Sequence, residues 1–121
     1  MPISLKEYQQ RRQDLMNHMA SNSIAILASA NPVLRNGDSD YRYRQNSDLH
    51  YLTGFDEAHS VLVLVPGREQ GQCLLFCQEK DPLKELWNGR LMGPDAAILQ
   101  LGVDDAFPIS DIDDKIGRAH V

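Results

Sequence analysis

Stretches whose apolar positions fall at helical spacing and short, continuous apolar runs divide this chain between them. Ser4 followed by Glu7 forms a capping box, a helix-start signature, and Tyr8, Leu15 and Met19 lie along one side of the polar-rich segment it opens. That helix is expected to end near Ser21 and Asn22. "SIAILAS" is short and apolar throughout, which predicts a buried strand. "NPVLRNGDSD" is rich in Asn, Gly, Asp and Pro and predicts a loop. "LHYLTGF" is expected to form a second strand ending at Gly54, and "SVLVLVPG" a third, closed by Pro66 and Gly67. "REQGQ" is a turn and "QCLLFCQ" a fourth strand, so the third and fourth make a hairpin.

The texture then changes. "DPLKELW" places Asp before a proline at the first helical position, and "GPDAAILQLG" repeats the device with Gly102 as its stop. "AFPIS" predicts a last short strand ahead of an Asp-rich polar stretch. A helix, several strands, then helices and another strand predict an α/β fold with a mixed β-sheet flanked by helices.

With 121 residues, one domain is expected, large enough to bury a substantial core. The apolar fraction of 42% with 24% charged residues belongs to a soluble globular class. A net charge of −5 argues against nucleic acid or an anionic membrane as partner, since both demand a basic field. Arg35, Arg42 and Arg44 form a local basic cluster, read first as a solvated approach to a strand. The N-terminus lacks an apolar core of signal-peptide length, and no segment reaches the length of a membrane span. On one strand Cys73 and Cys77 would share a face, yet at ~3.3 Å per residue their Cα atoms would lie about 13 Å apart, beyond disulfide reach. Zinc would need further ligands nearby, so buried free thiols are expected.

Few residues of the chain carry a recognisable chemical pattern. No Gly-rich phosphate loop follows a strand, and no serine sits in a nucleophile elbow. His18, His50, His59 and His120 pair with nothing at metal-ligand spacing; His50 is expected on a sheet face and His18 on a solvated helix. Asp38 and Asp40, with Asp48 further on, suit acid–base work or a hard cation, but Asp beside Gly and Ser is also ordinary turn chemistry. Trp87, the sole tryptophan, reads as a core anchor first and as an interface or pocket wall second.

One long polar-rich stretch carries more. "DSDYRYRQNSDLHYLTGF", continued by "SVLVLVPG" and "LKELWNGRLMGPDAA" and preceded by "EYQQRRQDLMNHM", resembles the N-terminal domain of Xaa-Pro aminopeptidases (aminopeptidase P), of the creatinase-like "pita-bread" metallopeptidase family. Arg42 and the pair Leu49-His50 depart from the family pattern. The resemblance covers most of the chain to about Ser110 and implies a ribonuclease H-like α/β domain over residues 1–115, truncated at its C-terminal end. It implies a separate catalytic domain, outside this sequence, with two manganese ions on Asp, His and Glu ligands, releasing the N-terminal residue from peptides with proline in second position. It further implies a cytoplasmic homo-oligomer, dimer or tetramer, in which this domain serves assembly and shapes a neighbouring subunit's substrate site. Asp38 and Trp87 match that role, the acid holding the substrate ammonium and the indole walling the pocket. The expected partners are therefore the protein's own catalytic domain, further copies of itself and proline-containing peptides. Catalytic and metal-ligating residues are expected in none of this chain. Two rivals remain at this stage: a stand-alone peptide- or protein-binding regulatory module, and the N-domain of a related Xaa-Pro dipeptidase or creatinase.

The tail fits none of this. A common sequencing adapter, read AG-ATC-GGA-AGA-GCA-CAC-GTC-TGA, encodes Ile-Gly-Arg-Ala-His-Val and a stop, and its leading AG completes a lysine codon. Residues 116–121 are expected to be adapter-derived, which leaves His120 without a role.

Overall fold

A computed structural model describes residues 4–20, 23–29, 45–69, 71–88 and 90–114, with the backbone alone at 84, 87 and 88. The described strands form one sheet in the order β1 (Ala25–Ala28), β2 (Val61–Leu64), β3 (Cys73–Cys77), β4 (Asp105–Pro108). β2 runs antiparallel to β1 and to β3, the second pair being the expected hairpin, whereas β3 and β4 are parallel. A parallel neighbour needs a crossover, and the helices α3 (Pro82–Asn88) and α4 (Pro94–Leu101) lie in it.

Register sorts the apolar runs into two faces. Leu62 pairs with Leu27 and Leu75, and Leu75 with Ala106, so these four form a row across the sheet. That face meets Met16 of α1 (Leu5–Asn17), Leu49 and Leu52 of α2 (Ser47–Thr53), and Ala97 and Leu101 of α4. The opposite face buries Val63, Leu74 and Phe76 against Phe107, Ile109 and Ile112, the last two in the turn that follows β4. Burial on both faces is why β2 and β3 read as continuous apolar runs rather than as alternating ones. Cys73 and Cys77 share the helix-covered face as free, buried thiols, and desolvation pushes each up to about 12.

The segment expected as the second strand is a helix. Asn46 is its N-cap, with Oδ1 accepting from the amides of Asp48 (2.9 Å) and Leu49 (3.2 Å). Gly54 closes it in the left-handed region at φ 74°, where its amide donates to the His50 carbonyl at 2.8 Å. Leu49, Leu52 and Thr53 are the buried positions, a helical spacing. His50 thus lies on a helix rather than on a sheet face, its Nε2 3.4 Å from the exposed carboxylate of Asp56. The glycine also lets α2 approach α1, since a Cβ at Gly54 would stand 2.7 Å from the Tyr8 ring.

α1 begins at the expected cap, Ser4 Oγ accepting from the Glu7 amide at 3.2 Å, but stops at Asn17, short of Ser21. Its buried positions are Arg12 and Met16, while Leu15 is exposed. Arg12, 2% exposed, donates from Nη1 to the Leu52 carbonyl (2.8 Å) and from Nη2 to those of Leu101 (2.9 Å) and Gly102 (3.2 Å). One guanidinium therefore caps the C-terminal ends of both α2 and α4, where partial negative charge collects. Burial pulls its pKa below the ordinary guanidinium value, with the nearby Asp104 opposing.

Candidate functional site

Of the two residues singled out from the sequence, Trp87 lies in the last turn of α3. Asp38 falls outside the described residues, as do Asp40, Arg35, Arg42, Arg44 and the 116–121 tail. α3 starts as its sequence requires: Asp81 Oδ1 accepts from the Leu83 amide at 3.0 Å, ahead of Pro82. Leu83 and Leu86 point outward, 70% and 79% exposed.

The chain on either side of α3 is drawn together at its base. Lys80 Nζ donates to Glu85 Oε1 at 2.9 Å and to the Leu91 carbonyl at 3.2 Å, and the Leu91 amide donates to the same Glu85 oxygen at 2.8 Å. These bonds hold the Glu85 carboxylate below its ordinary range, the Leu91 amide first among the causes. Gly93, at φ 82°, lies so close to Lys80 that a Cβ there would meet Lys80 Cβ at 3.0 Å. The described residues on either side of α3, 80–81 and 90–93, are thus drawn together, so that the chain from 80 to 93 closes on itself as a loop.

A second carboxylate joins this loop to the body of the domain. Met92 donates its amide to Glu57 Oε2 at 2.8 Å, while Glu57 Oε1 is buried without a partner among the described residues. Desolvation raises the Glu57 pKa, and the Met92 amide opposes that rise. Glu57, Lys80, Arg90, Leu91, Met92, Ala96 and Gln100 line a cleft of about 500 Å³ at this junction. Nothing in the spacing of the sequence marks Glu57; its partners arrive from residues 80–92, brought alongside by the sheet.

A separate and more apolar cleft of about 510 Å³ opens between α1, α2 and β1. Arg11 lies against it with its guanidinium 4.2 Å from the centroid of Tyr51 and 5.4 Å from that of Tyr8, and donates to the Tyr51 carbonyl at 3.0 Å. These contacts, like those of Arg12, serve to dock α1 on α2.

Among the described residues no three His, Cys, Asp or Glu side chains converge as a metal site, and those residues do not fit a pair of manganese ions. Among them, too, no helix is long and apolar enough to cross a membrane.

The chain as a whole has counterparts in known proteins. The family described as "Aminopeptidase P, N-terminal domain" matches residues 8–120. The chain belongs to that family. The Xaa-Pro aminopeptidase of Escherichia coli (strain K12) is 44% identical over 115 residues, covering 94% of this chain and 26% of the relative. The solved structure of Pseudomonas aeruginosa aminopeptidase PepP superposes with a TM-score of 0.91 at 52% identity, over 97% of this chain and 26% of that one. A zinc-substituted E. coli aminopeptidase P in complex with product gives a TM-score of 0.89 at 42% identity, over 98% of this chain and 27% of that one. The chain thus spans about a quarter of the length of the relatives it matches.

Proposed function

We propose that this chain is the non-catalytic N-terminal domain of a cytoplasmic, manganese-dependent Xaa-Pro aminopeptidase, a hydrolase that releases the residue preceding a proline. Its work is to assemble the homo-oligomer and to shape the substrate site of a neighbouring subunit. The observation that carries this reading is the match along nearly the whole chain to one end of much longer aminopeptidases. Peptide hydrolysis and its two metal ions belong, in this reading, to the remaining three-quarters of such a protein, and no step is assigned to residues here. The exposed Leu83 and Leu86 on α3 support the assembly role, since adjacent apolar side chains left in water favour a covering surface.

Within that role Trp87 walls the pocket and Asp38 holds the substrate ammonium. In an enzyme restored to full length, Asp38→Asn should weaken peptide binding by about 1 kcal/mol, the worth of a partly exposed charge pair. Trp87→Ala should raise KM for longer peptides at normal metal content. A purely structural Trp87 predicts the opposite pattern, a loss of about 3–5 kcal/mol of stability with unaltered kinetics. Melting midpoint and KM measured on the same proteins separate the two, and unchanged KM in both variants would remove these residues from the site.

A further inference from the structure

We propose that Glu57 is a positioning residue: by holding the Met92 amide it fixes the closed loop 80–93, and with it Trp87, against the body of the domain. Lys80, Glu85 and Leu91 are tied to one another, which braces the described part of the loop from within. Leu83 and Leu86 face water, whereas Leu91 is buried and Met92 packs against the core, so the loop is attached through residues 91 and 92. Apolar contact of that kind is non-directional; direction comes from the side-chain hydrogen bond at the same place, which Glu57 Oε2 accepts from the Met92 amide at 2.8 Å.

Glu57 is itself firmly mounted. Its carbonyl accepts from Gln45 Nε2 at 3.0 Å and from Ser60 Oγ at 3.0 Å. Ser60, 1% exposed, is joined to the end of β1 in both directions: its carbonyl accepts from the Ser29 amide at 2.8 Å, and its own amide donates to Ser29 Oγ at 3.0 Å. The line of contact therefore runs from the sheet through Ser60 and Glu57 to Met92, and then through Leu91 and Glu85 into α3. A carboxylate accepting from a backbone amide makes a stronger, shorter bond than a neutral pair, which suits it to hold a loop against thermal motion. The consequence for substrate rests on the reading of Trp87 given above; the positioning itself does not.

Trp87 is the only tryptophan in the chain, so its fluorescence reports on the loop directly. Glu57→Leu keeps the bulk and removes the acceptor; Glu57→Gln keeps an acceptor. The leucine variant should shift the emission maximum and alter acrylamide quenching, whereas the glutamine variant should match the wild type in both. A leucine variant that is folded by circular dichroism and identical in emission and quenching would overturn the proposal. If that variant does not fold, Glu57→Asp decides, since it retains the charge but draws the carboxylate back by one methylene: a shift supports positioning, and wild-type fluorescence refutes it. In the full-length enzyme Glu57→Leu should raise KM about tenfold at unchanged kcat, the scale expected when a binding group is displaced without touching the chemistry, and Glu57→Gln should restore it. A fluorescence shift accompanied by no KM change in either Glu57→Leu or Trp87→Ala supports positioning and tells against the pocket role of Trp87.

Discussion

Arg12 is a cation carried into the interior whose hydrogen bonds, among the described residues, go to three backbone carbonyls. Such a site is tolerable because helix ends leave carbonyls unsatisfied and concentrate negative potential where the guanidinium sits. Arg12→Met should therefore cost about 3 kcal/mol, since hydrogen bonds to a charged group are lost and buried acceptors are left bare. Arg12→Lys should recover part of that, because an ammonium keeps the charge but lacks the planar fork that spans two helix ends. Urea denaturation midpoints of the two variants check the order. In the sequence "QQRRQ", nothing separates Arg12 from Arg11. The helix phase points one guanidinium into the core and leaves the other between two tyrosine rings. The same holds for Glu57, whose importance lies in a partner thirty-five positions away.

Among the elements, α2 shows how a local pattern is misread. "LHYLTGF" is short, apolar and aromatic, which suits a strand, and its glycine suits a strand end as well as a helix C-cap. The decisive signals lie just upstream, in Asn46-Ser47-Asp48, which are good helix-start residues as readily as loop residues. Asn46→Ala should remove the acceptor for two amides and lower stability by about 1 kcal/mol. Far-UV circular dichroism together with a thermal melt reads both the helix and its cost. A wild-type melt would mean that packing of Leu49 and Leu52 alone holds the helix. The other elements were legible because their signals agree: Asp81-Pro82 and Gly93-Pro94 each open a helix, Gly102 ends one, and "VLVL" and "CLLFC" are strands at either end of a turn.

In the molecule as a whole, a mixed, helix-covered sheet carries the loop around α3, joined to it through Glu57 and Met92. We expect the purified 121-residue chain to hydrolyse no Xaa-Pro peptide with manganese added, because its described side chains assemble no metal site and it spans a quarter of its relatives. Turnover that survives contaminant controls, and that copurifies with the chain, would contradict this. The α/β class, the hairpin, both prolyl helix starts and the burial of Cys73 and Cys77 were legible along the chain, since each follows from local spacing and backbone chemistry. The long stretch around "DSDYRYRQNSDLHYLTGF" also carried the family, because its polar residues exceed anything that strand or helix formation demands. The helix at α2 was ambiguous because its local cap signals serve a loop as well; that Arg12 joins two helix ends and that Glu57 meets Met92 are decisions of the folded chain alone. These depend on which distant backbone groups the sheet brings within about 3 Å, the reach of a hydrogen bond, and no short-range pattern encodes that distance.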